Sequence, residues 1–358
     1  MFKFLIKRFW YGLWVLFGVV TVVFFLFNVL PGDPARMMLG QRADIISVEA
    51  IQRDLGLDRP VHQQYLHYLN DISPISLHRH SATTSLHYLD PDAYSYITLA
   101  TIGDHAMVIK KPYLRRSYQS GRDVTEILRS AFPNTLLLAA VSIVFAMVAG
   151  VVLGSFIALK RKPWLSRGTL VFSVLGMSLP SFFAAIIIAW VFAYLLGDIT
   201  GLSMTGSLWE VDDFGRGEYI AWQNIILPAV TLGIRPLAIV TELTRSSLNS
   251  VMAMDFIRTA RAKGLSEYRV ITRHALKNAM NPVITAVSGW FASLMAGAVF
   301  VEYVFDWKGI GVVIVEALEY YDFPVLMGAV LLISVVLVLV NIIVDIVYAW
   351  LDPRVRLG

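Results

Sequence analysis

Basic side chains cluster between residues 255 and 278 of this chain, where they alternate with small side chains. Guanidinium and ammonium groups bind carboxylates and carbonyl oxygens, and small neighbours let a partner's surface approach closely. This combination predicts a docking surface rather than a catalytic centre. The candidate docking residues are Arg258, Thr259, Ala260, Arg261, Ala262, Lys263, Gly264, Leu265, Arg273 and His274.

The spacing within this stretch predicts two helical segments joined at a glycine. Phe256, Thr259 and Ala260 recur at i, i+3 and i+4, which places them on one face of the first segment. Gly264 ends that segment, and Ser266 is the predicted N-cap of the second. Two alternatives to docking stay open, a basic helix held on anionic lipid and a cluster of charges that only sets membrane topology.

Several kinds of chemistry are excluded by what the sequence lacks. It has no cysteine, which removes disulfides, thiol catalysis, iron-sulfur clusters and thiolate zinc sites together. It has no His-Glu-x-x-His and no Gly-x-Ser-x-Gly, the motifs of zinc proteases and of serine hydrolases. It also has no phosphate-binding loop of the GxxxxGK[ST] type, so we expect no ATP site in this chain. Six histidines match no standard metal-ligand spacing, and we expect them to lie in a solvated loop. They are His62, His67, His78, His80, His87 and His105.

The composition places these residues in a membrane protein. Apolar residues make up 57% of the 358 positions and charged residues 16%, against roughly half and a quarter in soluble domains. The net charge of +4 comes from basic residues in short loops beside apolar runs, which indicates membrane topology rather than nucleic-acid binding. Six long intervals without any Asp, Glu, Lys or Arg predict spans. They are residues 9–32, 130–159, 168–197, 219–234, 278–301 and 323–344, the fourth being short unless it continues through Arg235 toward Glu242.

The distribution of lysine and arginine predicts the orientation of the spans. Basic residues at Lys3, Lys7 and Arg8, in loops 160–167 and 245–277, and at Arg354 and Arg356 place both termini and these loops in the cytoplasm. The loop 31–129 also contains many basic residues, but it exceeds the length of about 60 residues within which this rule applies. It is therefore predicted to be external, and 47–57 within it reads as a short helix with a serine cap and a glycine stop.

The basic loop resembles the EAA loop of inner-membrane subunits of binding-protein-dependent ABC importers. Arg258 stands at the usual acidic position of that pattern, Thr259 and Ala260 at the two small positions, and Gly264 at the glycine. The sequence following it resembles the B-type subunits of dipeptide and oligopeptide permeases. Further similarities lie at 30–34, 54–58, 178–182, 302–311 and in the tail 345–354, which leaves only about 72–122 as an insertion.

This resemblance implies an all-α, six-helix type I importer permease with an enlarged periplasmic loop after helix 1. Its parts would be helix 1 (1–30), the periplasmic segment (31–129), the core with its coupling loop (130–350) and a tail (351–358). The implied partners are a second permease subunit, two cytoplasmic ATPases that hold ATP and magnesium, an external substrate-binding protein and the bilayer of the bacterial inner membrane. Implied cargo is di- or oligopeptide. Nickel or another small solute, a proton-coupled carrier and a membrane enzyme remain alternatives.

Polar residues within the predicted spans could line a translocation path. An arginine at membrane depth costs at least about 2.5 kcal/mol unless it is paired or hydrated, so Arg235 either meets a cargo carboxylate or pairs with Glu242 or Asp345. Asn341 and Asp345 share a helix face and could serve a proton relay or, as we expect, contact a neighbouring helix. Pro180 lies in the middle of span three and is predicted to kink it.

Overall fold

The computed structural model describes residues 2–29, 35, 45–79, 95–160, 162–212, 215 and 217–351. The chain divides into two compact units. The first consists of Met1–Gly12, Ala131–Val312 and Val335–Gly358, and the second of Leu13–Ser130 and Val313–Ser334.

Most of the described residues are helical. The helices are α1 (Phe2–Val29), α2 (Ile45–Asp54), α3 (Val61–Ile72), α4 (Val124–Lys160), α5 (Pro163–Ser178), α6 (Ser181–Ile188), α7 (Gly197–Thr200), α8 (Ile226–Met252), α9 (Asp255–Ala262), α10 (Glu267–Arg269), α11 (Leu276–Phe305), α12 (Ile310–Glu319) and α13 (Phe323–Leu351). Among the described residues, four helical stretches are long and apolar enough to span a bilayer alone, and the number reaches six if each of two bent helix pairs forms one span. The fourth predicted span does continue through Arg235 and Glu242, because α8 runs without interruption to Met252.

Span three is broken rather than gently kinked. The axes before and after the break meet at 109°. Leu179 is in an extended conformation (φ −70°, ψ 128°), as expected for a residue that precedes proline. Pro180 is then the N-cap residue of α6, which begins at Ser181, so its missing N–H costs no helical hydrogen bond. The predicted distortion at Pro180 is therefore confirmed, and it separates α5 from α6.

Helix α8 is the central helix of the first unit, and glycines bring α4 directly against it. A Cβ atom on Gly150 would lie 2.6 Å from Val240 Cγ1, and one on Gly154 would lie 2.5 Å from the Thr241 carbonyl oxygen. Any side chain at these two positions would separate the helices. The G-x-x-x-G spacing in span two is thus used for close packing.

The second unit contains a three-stranded antiparallel sheet, whose strands all lie within the segment 72–122 that the sequence analysis set apart as an insertion. Strands β1 (Ile75–Arg79), β2 (Tyr96–Ile102) and β3 (His105–Lys110) pair in the order β1-β3-β2. Alternate residues of β3 are buried, beginning with Ala106. The sequence did not show this two-residue period, because the exposed Met107 and Ile109 are apolar and the buried Lys110 is charged. A smaller hairpin in the first unit pairs β4 (Trp209–Val211) with β5 (Glu218–Ile220).

Two details of the segment between α1 and α4 correct the sequence-based expectations. Helix α2 begins at Ile45, so Ser47 lies inside it and is not its N-cap, whereas Gly56 ends the turn after it with φ +68° as predicted. His78 is 1% exposed and hydrogen-bonds Ser76, which makes the solvated-loop expectation wrong for this residue. Within the described residues no three side chains form a metal-binding group, and His80 and His87 lie outside them.

A buried polar network joins α3 to the sheet of the second unit. The Asp71 carboxylate, 1% exposed, accepts a hydrogen bond from Arg115 Nε at 2.8 Å, and Lys110 Nζ donates to the Asp71 carbonyl oxygen at 2.8 Å. The Arg115 guanidinium also lies 5.6 Å above the ring of Tyr68. Burial lowers the pKa of Lys110 to about 8 and raises the pKa of Tyr68 to about 12. Charge neutralisation at Asp71 therefore stabilises this unit.

We expect Asp71→Asn to destabilise the second unit by about 3 kcal/mol, because it leaves the Arg115 charge buried without its carboxylate. Proteolysis across a urea gradient, with cleavage within residues 61–118 identified by mass spectrometry, measures this.

The matched control is Asp123→Asn. Its partner Arg116 lies 3.2 Å away in a pair with both side chains more than half exposed, so the loss should stay below about 1 kcal/mol. Equal shifts in the two variants would contradict the role assigned to Asp71.

Candidate functional site

The loop between α8 and α11 consists of one separate helix and the beginning of the next span. Helix α9 ends as predicted at a glycine turn, in which Gly264 has φ +78° and its N–H donates to the Arg261 carbonyl at 2.9 Å. Ser266 occupies the N-cap position of α10 but makes no side-chain capping bond. The second segment is not a separate helix, because α10, a π-helical turn at Val270–Ala275 and α11 follow one another without a gap.

An apolar cluster fixes α9 against the rest of the first unit. Ile257 is fully buried and Ala260 is 6% exposed, and they pack with Leu248, Val270 and Ala275. The predicted grouping of Phe256, Thr259 and Ala260 on one face is therefore only partly right. Ala260 lies on the buried side together with Ile257, three residues earlier, whereas Phe256 and Thr259 are exposed.

The outer surface of the loop combines exposed cations with large exposed apolar side chains. Tyr268 is 76% exposed, Met254 47% and Phe256 40%. Apolar anchors surrounded by polar groups are typical of protein-binding hot spots. Of the predicted docking residues, Arg258, Thr259, Arg261, Ala262, Lys263, Gly264 and Arg273 are exposed, Leu265 and His274 are half-buried, and Ala260 is buried.

An ion pair joins α9 to α10 across the glycine turn. Arg261 donates two hydrogen bonds to the Glu267 carboxylate, from Nη2 at 2.6 Å and from Nε at 3.1 Å. These bonds raise the pKa of Arg261. Because a two-point contact fixes orientation as well as distance, the turn is held in one geometry.

The polar residues within the spans pair differently from the sequence-based expectation. Glu242 accepts bonds from Arg245 at 2.5 and 3.0 Å, and Asp345 forms an ion pair with Arg8 at 2.5 Å. Arg235 instead donates from Nη2 to the Leu179 carbonyl oxygen at 3.0 Å. The predicted pairing of Arg235 with Glu242 or Asp345 is therefore wrong.

The residues predicted to lie on a shared face of span six have different surroundings. Asp345 contacts a neighbouring helix through Arg8 of α1, as expected. Asn341 is exposed. The structure thus gives Asp345 a helix-pairing contact.

A carboxylate near the end of α11, which the sequence analysis did not single out, faces the start of α12. Glu302 is fully buried and accepts the Gly311 N–H at 2.6 Å, while the Ile310 N–H donates to Thr135 at 2.8 Å. A Cβ atom on Gly309 would lie 2.5 Å from Glu302 Cδ, so only glycine fits there. A carboxylate favours a helix N-terminus, and Glu302 thereby fixes the connection between α11 and α12. In the sequence, the only sign of this contact was a glutamate followed seven and nine residues later by Gly309 and Gly311.

Comparison with known proteins assigns the family. Residues 150–357 match the model of the "Binding-protein-dependent transport system inner membrane component", and residues 1–86 match the model of the N-terminal part of such membrane components. The chain belongs to this family. It is therefore an ABC importer permease with the type I fold, and the family implies ATPase and substrate-binding partners.

Curated relatives match over the full length. The chain is 33% identical to the "Glutathione transport system permease protein GsiC" of Escherichia coli (strain K12), over 99% of both chains. The GsiC protein of Shigella dysenteriae serotype 1 (strain Sd197) gives the same identity and coverage.

Among solved structures, the chain is similar to the inward-facing MetNI methionine ABC transporter. The identity is 16%, the TM-score is 0.49, and 64% of this chain and 98% of that chain are covered. An amino acid ABC transporter crystallised with histidines shows 15% identity and a TM-score of 0.43, with 63% and 94% covered.

Proposed function

We propose that this permease forms half of a translocation pathway for di- and oligopeptides, including peptide-like thiols of the glutathione type. The main support for peptide cargo is the full-length similarity of this chain to a permease named for glutathione transport. The second half of the pathway is a related permease subunit. Nickel or another small solute is the competing cargo within the same family.

The loop from Asp255 to Asn278 is the site that couples this permease to the ATPases. Its inner side is fixed by Ile257 and Ala260, while Phe256 and Tyr268 remain exposed among arginines. A partner that grips the outer side therefore moves α9, which the Arg261–Glu267 pair ties to the segment that continues directly into span five. ATP-driven closure of two ATPases then rocks the spans between inward-open and outward-open states. ATP and magnesium bind on those partners, and this chain binds no cofactor.

The membrane orientation follows from the loop charges. Both termini and the coupling loop face the cytoplasm, and the segment between α1 and α4 faces the external binding protein. Exposed cations of the coupling loop, such as Lys263 and Arg269, are then on the side where positive charge is retained.

We expect the double change Phe256→Asp and Tyr268→Asp to reduce copurification of the ATPase subunits at least tenfold and to abolish transport-coupled ATP hydrolysis. Each carboxylate replaces an apolar anchor and would have to be desolvated at the interface. Ile97→Asp is the control, since Ile97 is 72% exposed on β2, far along the chain from the loop. Unchanged association of the double variant would exclude the loop as the ATPase-binding site.

The orientation is testable because the chain has no cysteine of its own. A membrane-impermeant maleimide applied from outside should label Thr101→Cys on β2 and leave Lys263→Cys unlabelled. In inverted vesicles the pattern should reverse. External labelling of Lys263→Cys would contradict cytoplasmic placement of the loop.

The cargo and the energy source are tested by uptake into proteoliposomes that contain the complete complex, with the binding protein outside. We expect accumulation of radiolabelled di- and tripeptides that requires ATP inside. Uptake by this chain alone under a proton gradient would refute the ATP-coupled mechanism. ATP-dependent uptake of nickel without uptake of peptides would refute the peptide cargo alone.

A further inference from the structure

Arg235 is a cation in the central helix of the spans whose charge no acidic side chain neutralises within the described residues. Its two predicted partners are engaged elsewhere, Glu242 with Arg245 and Asp345 with Arg8. Its single hydrogen bond in the described part of the chain reaches a backbone carbonyl, and its Nε is buried without a hydrogen-bond acceptor there. Since arginine stays charged at any physiological pH, this leaves one uncompensated positive charge at membrane depth.

The side of α8 that carries Arg235 is the side left partly open by the packing of the first unit. Residues Arg235, Ile239, Glu242, Ser246 and Asn249 follow a helical stripe and are half-buried or exposed, whereas most of the remaining α8 side chains between Leu227 and Val251 are buried. A polar stripe on a central span requires water or a protein partner beside it. Glu242 and Arg245 cancel one another, so the net charge of the stripe is that of Arg235.

The break in span three adds further donors at the same place. Arg235 Nη2 binds the carbonyl oxygen of Leu179, the last residue before Pro180, which positions the guanidinium at the beginning of α6. The first N–H groups of any helix have no acceptor within the helix, and its dipole favours a negative charge there. Half-helix N-termini at membrane depth bind anionic groups in transporters built from discontinuous helices.

We propose that Arg235, together with the amino end of α6, binds a carboxylate of the cargo during its passage through the pathway. This rests on the proposed transport function and names the chemical class that the pathway selects, an anionic solute such as a peptide with a free carboxyl terminus. The same chemistry could be supplied by a carboxylate of the second permease subunit, and the two sources behave differently in the experiment.

The first measurement compares initial uptake of trialanine and of trialanine amide by the complete complex in proteoliposomes. We expect Arg235→Gln to reduce the preference for the free acid about tenfold, the order of one hydrogen bond to a charged group. Because the binding protein is the same in both cases, its own selectivity cancels from the comparison. Arg235→Lys should restore part of the preference.

Arg245→Gln is the matched control, since it removes an equal charge from the same helix but from a neutralised pair. It should change uptake of both cargo forms by the same factor. An equal loss of both forms in Arg235→Gln would mean that the carboxylate belongs to the partner subunit, and would overturn the proposal.

The second measurement does not depend on which cargo is transported. In the complete complex, Ser181→Cys at the start of α6 is modified with an anionic sulfonatoethyl or a cationic aminoethyl methanethiosulfonate. We expect the anionic reagent to be favoured with Arg235 present, and its relative rate to fall about tenfold with Arg235→Gln. The ratio of the two modification rates cancels any effect of Arg235→Gln on the reactivity of the thiol itself. The same reagents applied to the complex without Ser181→Cys measure the background modification of the partner subunits.

Together, the two measurements distinguish a failure of the proposed peptide cargo from a failure of the proposed anion site at Arg235. Absence of peptide uptake by the unaltered complex, with a normal reagent ratio, would refute the peptide cargo and leave the anion site standing. A reagent ratio that does not depend on Arg235, or a cysteine at position 181 that neither reagent reaches, would overturn the anion site.

Discussion

The free-energy cost of a charge in apolar surroundings governs most of this structure. It explains why six long intervals of the chain contain no charged residue, and why buried or half-buried charged residues outside them have defined partners. Arg8 contacts Asp345 and Arg245 contacts Glu242 in the first unit, while Asp71 neutralises Arg115 in the second. Arg235 departs from this rule, and that departure makes it functionally informative.

A second constraint is the satisfaction of backbone polar groups where no water is available. Proline cannot continue the hydrogen-bonding of span three, so α5 ends at Ser178 and a new helix begins at Ser181. The carbonyl oxygen of Leu179, between the two helices, accepts a hydrogen bond from Arg235 instead. One proline thus creates both the acceptor that holds the guanidinium and the helix end that faces it.

The proposed coupling loop, residues 255–278, is built as a rigid element. Its buried side uses Ile257 and Ala260, its turn is fixed by the Arg261–Glu267 pair, and its second part is continuous with α11. A rigid connection of this kind converts displacement at the loop into displacement of a span, whereas a flexible loop would absorb it. Glu302 holds the opposite end of α11 to α12 in a comparable way.

The sequence by itself identified the family, the apolar stretches long enough to span a bilayer and the basic loop at 255–278, because hydrophobic length, charge distribution and short motifs are local properties of the chain. The tertiary structure alone decided which faces and partners are used. Spacing grouped Ala260 with Phe256 and Thr259 on one face, but Ala260 packs inward with Ile257 while Phe256 and Thr259 are exposed. Arg235 was expected to pair with acids that in the structure bind other arginines. The sheet around β3 likewise depends on pairing between distant strands. Such choices depend on which groups meet in space, and sequence spacing contains that information only within a single element.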